Sequence, residues 1–134
     1  QKEITITFNN RLSQQMKVTI DIRYFKQILI NLLSNAIKFT EHGSIDLSLE
    51  ECDESLCLSI QDSGIGISED DLKNIFDEFT QVKNQSKNQE KGSGLGLAIS
   101  RKLAHLFQAD VILESKGLGC GTKAIIKFRS SVKE

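Results

Sequence analysis

The chain has 134 residues and carries 17 Lys and Arg against 18 Asp and Glu, so that its formal net charge at pH 7 is −1. This length predicts one domain with a hydrophobic core of its own, and the balanced charge argues against sequence-independent binding to nucleic acid. No apolar run approaches the roughly 18 residues that span a membrane, and no signal peptide heads the sequence. We therefore expect any membrane contact of a longer parent protein to lie outside these residues.

The first half of the chain alternates between strand and helix patterns. Alternating apolar residues in ITITF predict a half-buried strand, and a second short strand is expected over about 17–20. Asp21 is suited to cap a helix that begins at Ile22 and runs to about Phe39, because its apolar residues fall on one helical stripe. The runs SIDLSLE and SLCLSIQD then predict a β-hairpin.

The second half contains two more helices and two more strands. Ser68 and the acidic residues after it predict a short helix to about Phe76. The run TQVKNQSKNQEK is polar except for Val82, which is typical of a disordered loop. The run GSGLGL then begins a helix with leucines and isoleucine on one side, and VILES and TKAIIKF predict two closing strands around a glycine-rich turn.

The three cysteines, Cys52, Cys57 and Cys120, show no C-x-x-C spacing. Two of them lie in alternating apolar runs, where cysteine behaves as a small hydrophobic residue. We therefore expect free buried thiols in a reducing compartment rather than a disulfide or a metal site.

The first candidate functional feature is a polar face on the leucine-rich helix. Spacings of four and three residues put Asn31, Asn35 and Lys38 on one face, away from the leucine stripe. Amide oxygens suit a hard cation, the amine suits phosphate, and Mg²⁺ is usually shared with substrate phosphates. The alternative is a face that is simply solvated.

The second feature is Asp62, which ends the run SLCLSIQD. It has the same strand parity as Leu58 and Ile60 and therefore points toward the core. We interpret it as a buried acceptor for an exocyclic amine, with Gly64 and Gly66 letting a planar ring approach the backbone. The alternative is a turn aspartate that supports its own loop.

The third feature is the glycine cluster at residues 92–97. Backbone N–H groups at a helix start form an anion site, although glycines used for tight packing are the alternative. The spacing is not a dinucleotide-binding fingerprint, and no Walker lysine motif occurs. The preceding loop adds positive charge through Lys83, Lys87 and Lys91.

Four segments occur in an order that resembles one family. NLLSNAIKFT, DSGIG, IFDEFTQ and GSGLGLAIS resemble the asparagine, first glycine, phenylalanine and second glycine boxes of the catalytic ATP-binding domain of sensor histidine kinases. This family shares the GHKL, or Bergerat, fold with gyrase-type ATPases. Since the resemblance covers essentially all of 1–134, it implies an α+β two-layer sandwich. Its mixed, mostly antiparallel five-stranded sheet would be covered on one face by about three helices, with a mobile ATP lid at about 80–93.

The resemblance also implies roles for individual residues. Asn35 would bind Mg²⁺, Asn31 would support the metal and the phosphates, and Lys38 would contact phosphate. Asp62 would accept a hydrogen bond from the adenine amino group, and Phe76 and Phe79 would anchor the near end of the lid. The implied nucleotide-binding set is Asp62, Gly64, Gly66, Ile67, Phe76, Phe79, Lys91, Gly92, Ser93, Gly94, Leu95, Gly96 and Leu97.

Asn31 bears on the type of reaction. Related ATPases have a glutamate at this position that activates water, and an amide cannot act as a general base. Asn31 therefore favours donation of the γ-phosphate to a partner, which depends mostly on positioning and charge stabilisation. The family's acceptor histidine lies in a helical dimerisation segment, whereas His42 is expected in a turn and His105 on a helix surface or core edge.

We therefore expect a catalytic domain without its dimerisation and phosphoacceptor domain, which binds ATP and Mg²⁺ but does not autophosphorylate alone. The implied partners are the dimerisation helices of the same protein and a response regulator receiver domain, in a homodimeric, membrane-anchored parent whose kinase portion is cytoplasmic. The alternatives are a catalytically silent nucleotide-binding regulatory module, a gyrase-like ATPase, or an anti-sigma-factor serine kinase of the same fold. One departure from the family is Gln108-Ala109, where many members have Gly-Gly.

Overall fold

The computed structural model describes residues 2–53, 55–76, 95–129 and 131–132. In chain order, the elements are β1 (Glu3–Asn10), β2 (Met16–Lys17), α1 (Ile22–Lys38), β3 (His42–Cys52), β4 (Ser55–Asp62), α2 (Glu69–Lys73), α3 (Leu95–Leu106), β5 (Ala109–Glu114), β6 (Thr122–Phe128) and β7 (Ser131–Val132). Five strands form one sheet in the order β1-β3-β4-β6-β5. Only β1 and β3 are parallel among these neighbours.

Helix α1 forms where the sequence predicts it. The side chain of Asp21 accepts a hydrogen bond of 3.0 Å from the backbone N–H of Arg23 and thereby caps the first turn. Ile28, Leu32 and Ala36 are buried, while Ile30 on another face of the helix is exposed. One stripe of α1 therefore packs into the core and leaves the other faces for solvent or for a site.

The strand alternation places the core on one side of the sheet. Leu58, Ile60 and Asp62 have the same parity on β4 and are all buried, and they lie beside Ile45 and Ile126 of the neighbouring strands. The buried residues of α1 and Ala104 of α3 belong to the same hydrophobic cluster. Asp62 is thus the last residue of a core-facing row, at the end of a central strand.

The predicted fold class is confirmed: the structure has a mixed, mostly antiparallel five-stranded sheet with three helices. Two boundaries differ. The second strand lies at Met16–Lys17, earlier than expected, because its pairing partner is β7. Helix α2 ends at Lys73, and the chain continues as a turn through Phe76. The predicted lid at 80–93 lies outside the described residues.

The cysteine prediction is wrong. Cys52 and Cys57 are joined by a disulfide across the β3–β4 turn, with a Cα–Cα distance of 6.2 Å, and Cys120 is exposed rather than buried. Antiparallel pairing puts Cys57 opposite Glu50, two residues from Cys52, so the hairpin brings the sulfurs within bridging reach. Linear spacing alone did not reveal this proximity. In the part of the chain that the structure describes, no helix is both long and apolar enough to cross a membrane.

Candidate functional site

The two asparagines on the polar face of α1 differ in the hydrogen bonds of their side chains. Asn31 donates from Nδ2 to Ser100 Oγ at 3.1 Å and to the Gly96 carbonyl at 3.4 Å. Its Oδ1 accepts a hydrogen bond of 3.1 Å from Gln27 Nε2. Within residues 2–53, 55–76 and 95–129, no hydrogen bond reaches the side-chain amide of Asn35, which is half-buried. Asn31 is therefore held by protein groups, whereas Asn35 keeps an amide oxygen for a ligand.

Lys38 lies at the carboxyl end of the same helix face. Its ammonium is 5.5 Å from the centroid of the Phe39 ring, and the side chain is half-buried. A cation is favourable at this position because the last turn of a helix carries partial negative charge. This face of α1 therefore carries one neutral oxygen that can bind a cation, from Asn35, and one positive charge, from Lys38.

Asp62 is almost completely buried, with 5% of its surface exposed. Its Oδ1 accepts hydrogen bonds from the backbone N–H groups of Gly64, at 2.9 Å, and Thr122, at 3.1 Å. Burial raises the pKa of this carboxyl above its ordinary value, while the two hydrogen bonds act in the opposite direction. Since both bonds end on Oδ1, Asp62 supports its own loop and still presents Oδ2 as an acceptor.

The glycines after Asp62 are required by backbone packing. A Cβ at Gly64 would collide with the Phe39 carbonyl, and Ile65 donates to that same carbonyl at 3.2 Å. Gly66 has a φ of +77°, and a Cβ there would collide with the Gly117 carbonyl. The loop after β4 therefore lies directly against the end of α1 and the turn at 117–121. The sequence interpretation gave these glycines a role in ligand approach, and the structure adds this packing role.

We predict opposite effects of alanine at two glycines of the site. Gly64→Ala should lower the midpoint of thermal unfolding, because the backbone of α1 blocks the added methyl group. Gly96→Ala should leave it unchanged or raise it, since Gly96 lies in α3 and no atom of the described residues beyond its own stretch of helix is within 4 Å of a Cβ added there, while alanine favours a helix by up to about 1 kcal/mol. Calorimetry of both variants tests this; equal destabilisation would contradict it.

Three residues that support this loop were missed from the sequence. The Ser115 Oγ accepts from the Ile67 N–H at 3.0 Å and donates to the Gly121 carbonyl at 2.8 Å, and the Thr122 N–H bonds Asp62. Gly121 has a φ of +74° and packs on the Asp62 backbone. The available signal was the run SKGLGCGT, whose glycines indicate a turn with unusual backbone geometry.

Helix α3 and the segment after α2 form the remaining wall. Gly96 lies in the first turn of α3, and Leu97 packs against the core. The Arg101 guanidinium lies 4.4 Å from the centroid of the Phe76 ring, and Arg101 Nε donates to Asp110 Oδ1 at 3.1 Å. Phe76 is thus held between α3 and the core. Leu95 begins α3, and the predicted site residues Phe79, Lys91, Gly92, Ser93 and Gly94 lie outside the described residues.

The two histidines lie on different elements. His42 begins β3 rather than lying in a turn. His105 is exposed on α3, as expected, and its Nε2 is 2.9 Å from Asp110 Oδ1. It lines a surface cavity of about 570 Å³ with Ser55 and Phe128, which lie at the end of the sheet opposite Asp62.

Comparisons with known proteins agree with this geometry. A family profile described as "Histidine kinase-, DNA gyrase B-, and HSP90-like ATPase" matches residues 20–132. The chain is 37% identical over 140 residues to Histidine protein kinase 1 of Candida albicans, covering 98% of this chain but only 6% of that relative.

Two solved structures have a similar fold. Full-length ShkA in complex with AMPPNP gives a TM-score of 0.77 at 29% identity, over 97% of this chain and 26% of that chain. The nucleotide-free catalytic domain of the histidine kinase ThkA gives a TM-score of 0.74 at 30% identity, over 93% of this chain and 79% of that chain.

Proposed function

Because the chain belongs to the histidine kinase-, DNA gyrase B- and HSP90-like ATPase family, as a histidine kinase catalytic domain, we propose that it binds Mg-ATP and donates the γ-phosphate to a histidine on a separate dimerisation domain. The observation that carries this proposal is the pair of amides on α1. Among the described residues, no group is hydrogen-bonded to the side chain of Asn35, which lies one turn before Lys38. Asn31 supplies no carboxylate at the position where a hydrolytic relative has its base.

The adenine end of the site is assigned to Asp62. An exocyclic amine donates hydrogen bonds, and Oδ2 is an acceptor held in place by the two backbone bonds to Oδ1. Burial strengthens the selection, because a base without a donor at this point would leave a buried carboxylate oxygen unpaired. The proposed site therefore prefers adenine to bases with a carbonyl at the same position.

The residues present fit a magnesium ion shared with phosphates. In the described ranges no three His, Cys, Asp or Glu side chains lie close enough to hold a metal ion, but the Asn35 amide oxygen is a ligand of the type that Mg²⁺ accepts together with phosphate oxygens and water. When bound, the ion would neutralise charge on the phosphates. Asn35 would hold it, and Asn31, which is hydrogen-bonded to the first turn of α3, would support the phosphates.

The side chains proposed to contact the phosphates favour transfer of the γ-phosphate to a partner over hydrolysis of ATP. An amide neither accepts nor releases a proton near pH 7, so Asn31 cannot activate water. Lys38 supplies positive charge without acting as a base there. The chain's own part in the reaction is then to hold the nucleotide and present its γ-phosphate for in-line attack by a partner.

The setting of this activity is also proposed. We take residues 1–134 as the catalytic domain, with the lid at about 80–93, within a longer homodimeric sensor whose kinase portion lies in the cytoplasm. Its partners would be the dimerisation helices that carry the acceptor histidine, and a receiver domain downstream.

Two measurements test the proposal. Calorimetric titration of the chain with ATP should show binding that strengthens with Mg²⁺, and labelled phosphate should appear on the parent protein's dimerisation segment when that segment is added. No ATP binding would overturn the proposal. Binding without transfer to that segment would favour the silent regulatory module, and release of inorganic phosphate by the chain alone would favour the ATPase.

A further inference from the structure

A chain of hydrogen bonds links α1 to the first turn of α3 through Asn31. Gln27 Nε2 donates to Asn31 Oδ1, Asn31 Nδ2 donates to Ser100 Oγ, and Ser100 Oγ donates to the Gly96 carbonyl at 2.8 Å. The Gly96 carbonyl also accepts from Asn31 Nδ2. Gln27, at the start of this series of hydrogen bonds, is exposed, whereas Ser100 is 0% exposed.

The hydrogen bonds around Asn31 favour one orientation of its amide. A backbone carbonyl only accepts hydrogen bonds, so the NH₂ end of Asn31 must face Gly96. The oxygen of Asn31 then needs a donor, which Gln27 supplies with its own NH₂ group. Turning the Asn31 amide over would set its oxygen against the Gly96 carbonyl and its NH₂ group against that of Gln27.

We propose that Gln27 and Ser100 are positioning residues of the nucleotide site, which fix the rotamer and amide orientation of Asn31 and tie it to the first turn of α3. This inference rests on the proposed function, because Asn31 is assigned to the phosphates there. Neither residue needs to touch the nucleotide. Gln27 works from the solvent side and Ser100 from the buried side, so the two can be changed independently.

The test uses one isosteric pair at Gln27. Gln27→Glu replaces the donor with a carboxylate, which only accepts at neutral pH. Asn31 Oδ1 then loses its donor, and the new acceptor favours turning the Asn31 NH₂ group away from Gly96. Gln27→Met removes the donor but adds no acceptor. Losing a hydrogen bond of ordinary strength should weaken Mg-ATP binding by about three- to tenfold, with Gln27→Glu the worse of the two. Since Gln27 is exposed, the unfolding midpoint should stay unchanged.

The buried end is tested by Ser100→Ala with a matched control. Ser59→Ala also removes a buried serine hydroxyl, but from the sheet face opposite the helices. Both variants are expected to lose some stability, and only Ser100→Ala should weaken Mg-ATP binding. Lys26→Met serves as the exposed control for Gln27, since Lys26 precedes it on α1 and is exposed.

A readout without nucleotide separates this inference from the proposed function. In the ligand-free protein, the two side-chain amide protons of Asn31 should give distinct, slowly exchanging NMR signals that shift in Gln27→Glu, Gln27→Met and Ser100→Ala and not in the controls. Unshifted signals, or variant affinities within twofold of the controls, would overturn the positioning roles. If the wild-type chain binds no ATP while the amide signals behave as expected, the proposed function fails and the Asn31 orientation stands.

Discussion

Asn35→Ala is expected to abolish the Mg²⁺-dependent part of ATP binding and to lower phosphate transfer by at least about a hundredfold, with the fold intact. The side chain of Asn35 has no hydrogen-bond partner in the described part of the chain, so its removal breaks no internal contact there, and alanine is the better helix former. What is lost is the oxygen that we propose as a ligand to the metal, and metal stabilisation of phosphoryl transfer contributes several kcal/mol. Calorimetry with and without Mg²⁺, followed by transfer assays with the dimerisation segment, measures both effects.

Two companion variants show whether the effect comes from the lost oxygen. Ser34→Ala changes the preceding, exposed residue of α1 and should leave binding and transfer unchanged. Asn35→Asp keeps a metal-binding oxygen and should retain Mg²⁺-dependent binding, although the added negative charge lies close to the phosphates. If Asn35→Ala kept the wild-type response to Mg²⁺, the assignment of Asn35 to the metal would be wrong.

The sequence predicted the elements of the domain because most obey local rules. Helix α1 combines a capping aspartate with an apolar stripe, and the hairpin of β3 and β4 alternates cleanly, so period and capping suffice. The two-residue strand β2 was predicted slightly too late in the chain and β7 was not predicted, since each exists only through its partner at the other end of the chain. The Cys52–Cys57 disulfide was missed for the same reason: it depends on hairpin register and not on a recognisable spacing.

In the candidate site, too, the features set by local sequence patterns were predictable, and the contacts between distant segments were not. Strand parity was enough to predict a buried Asp62, and helix spacing was enough to group Asn31 with Asn35. Neither could reveal that Asn31 is bonded by groups from two different helices, because Ser100 lies 69 residues away. Gln108, where the family resemblance leads one to expect glycine, adopts a φ of +63°. A non-glycine residue tolerates this only when its surroundings impose it.

Asp62→Asn should lower ATP affinity by at least about a hundredfold and shift the preference of the site toward GTP. The N–H groups of Gly64 and Thr122 both donate to Oδ1, so the amide oxygen of the variant must take that position. Its NH₂ group then replaces Oδ2 and faces the base. Two donors would meet at the adenine amino group, a mismatch that buried sites reject strongly, whereas the guanine carbonyl oxygen would be matched. Competition binding with ATP and GTP measures the shift.

Asp62→Ala is the control that separates a change in nucleotide preference from a general loss of binding and stability. It removes acceptor and donor alike and leaves the N–H groups of Gly64 and Thr122 unpaired, so it should weaken both nucleotides without favouring GTP and should lose stability. A GTP shift in Asp62→Ala as large as in Asp62→Asn would show that the orientation of the amide is not the cause.

The pH dependence of stability tests the state of the Asp62 carboxyl itself. Because burial raises its pKa above the ordinary 3.8, the native state binds this proton more tightly than the unfolded chain does. Its contribution is therefore most favourable below pH 3.8 and decreases as pH rises through the raised native pKa. Asp62→Asn does not titrate, so its free energy of unfolding relative to wild type should increase over that interval and then level off. Denaturant unfolding of both proteins from acid to neutral pH measures this difference. A difference that stays constant with pH would mean that the two hydrogen bonds to Oδ1 offset the effect of burial on this carboxyl.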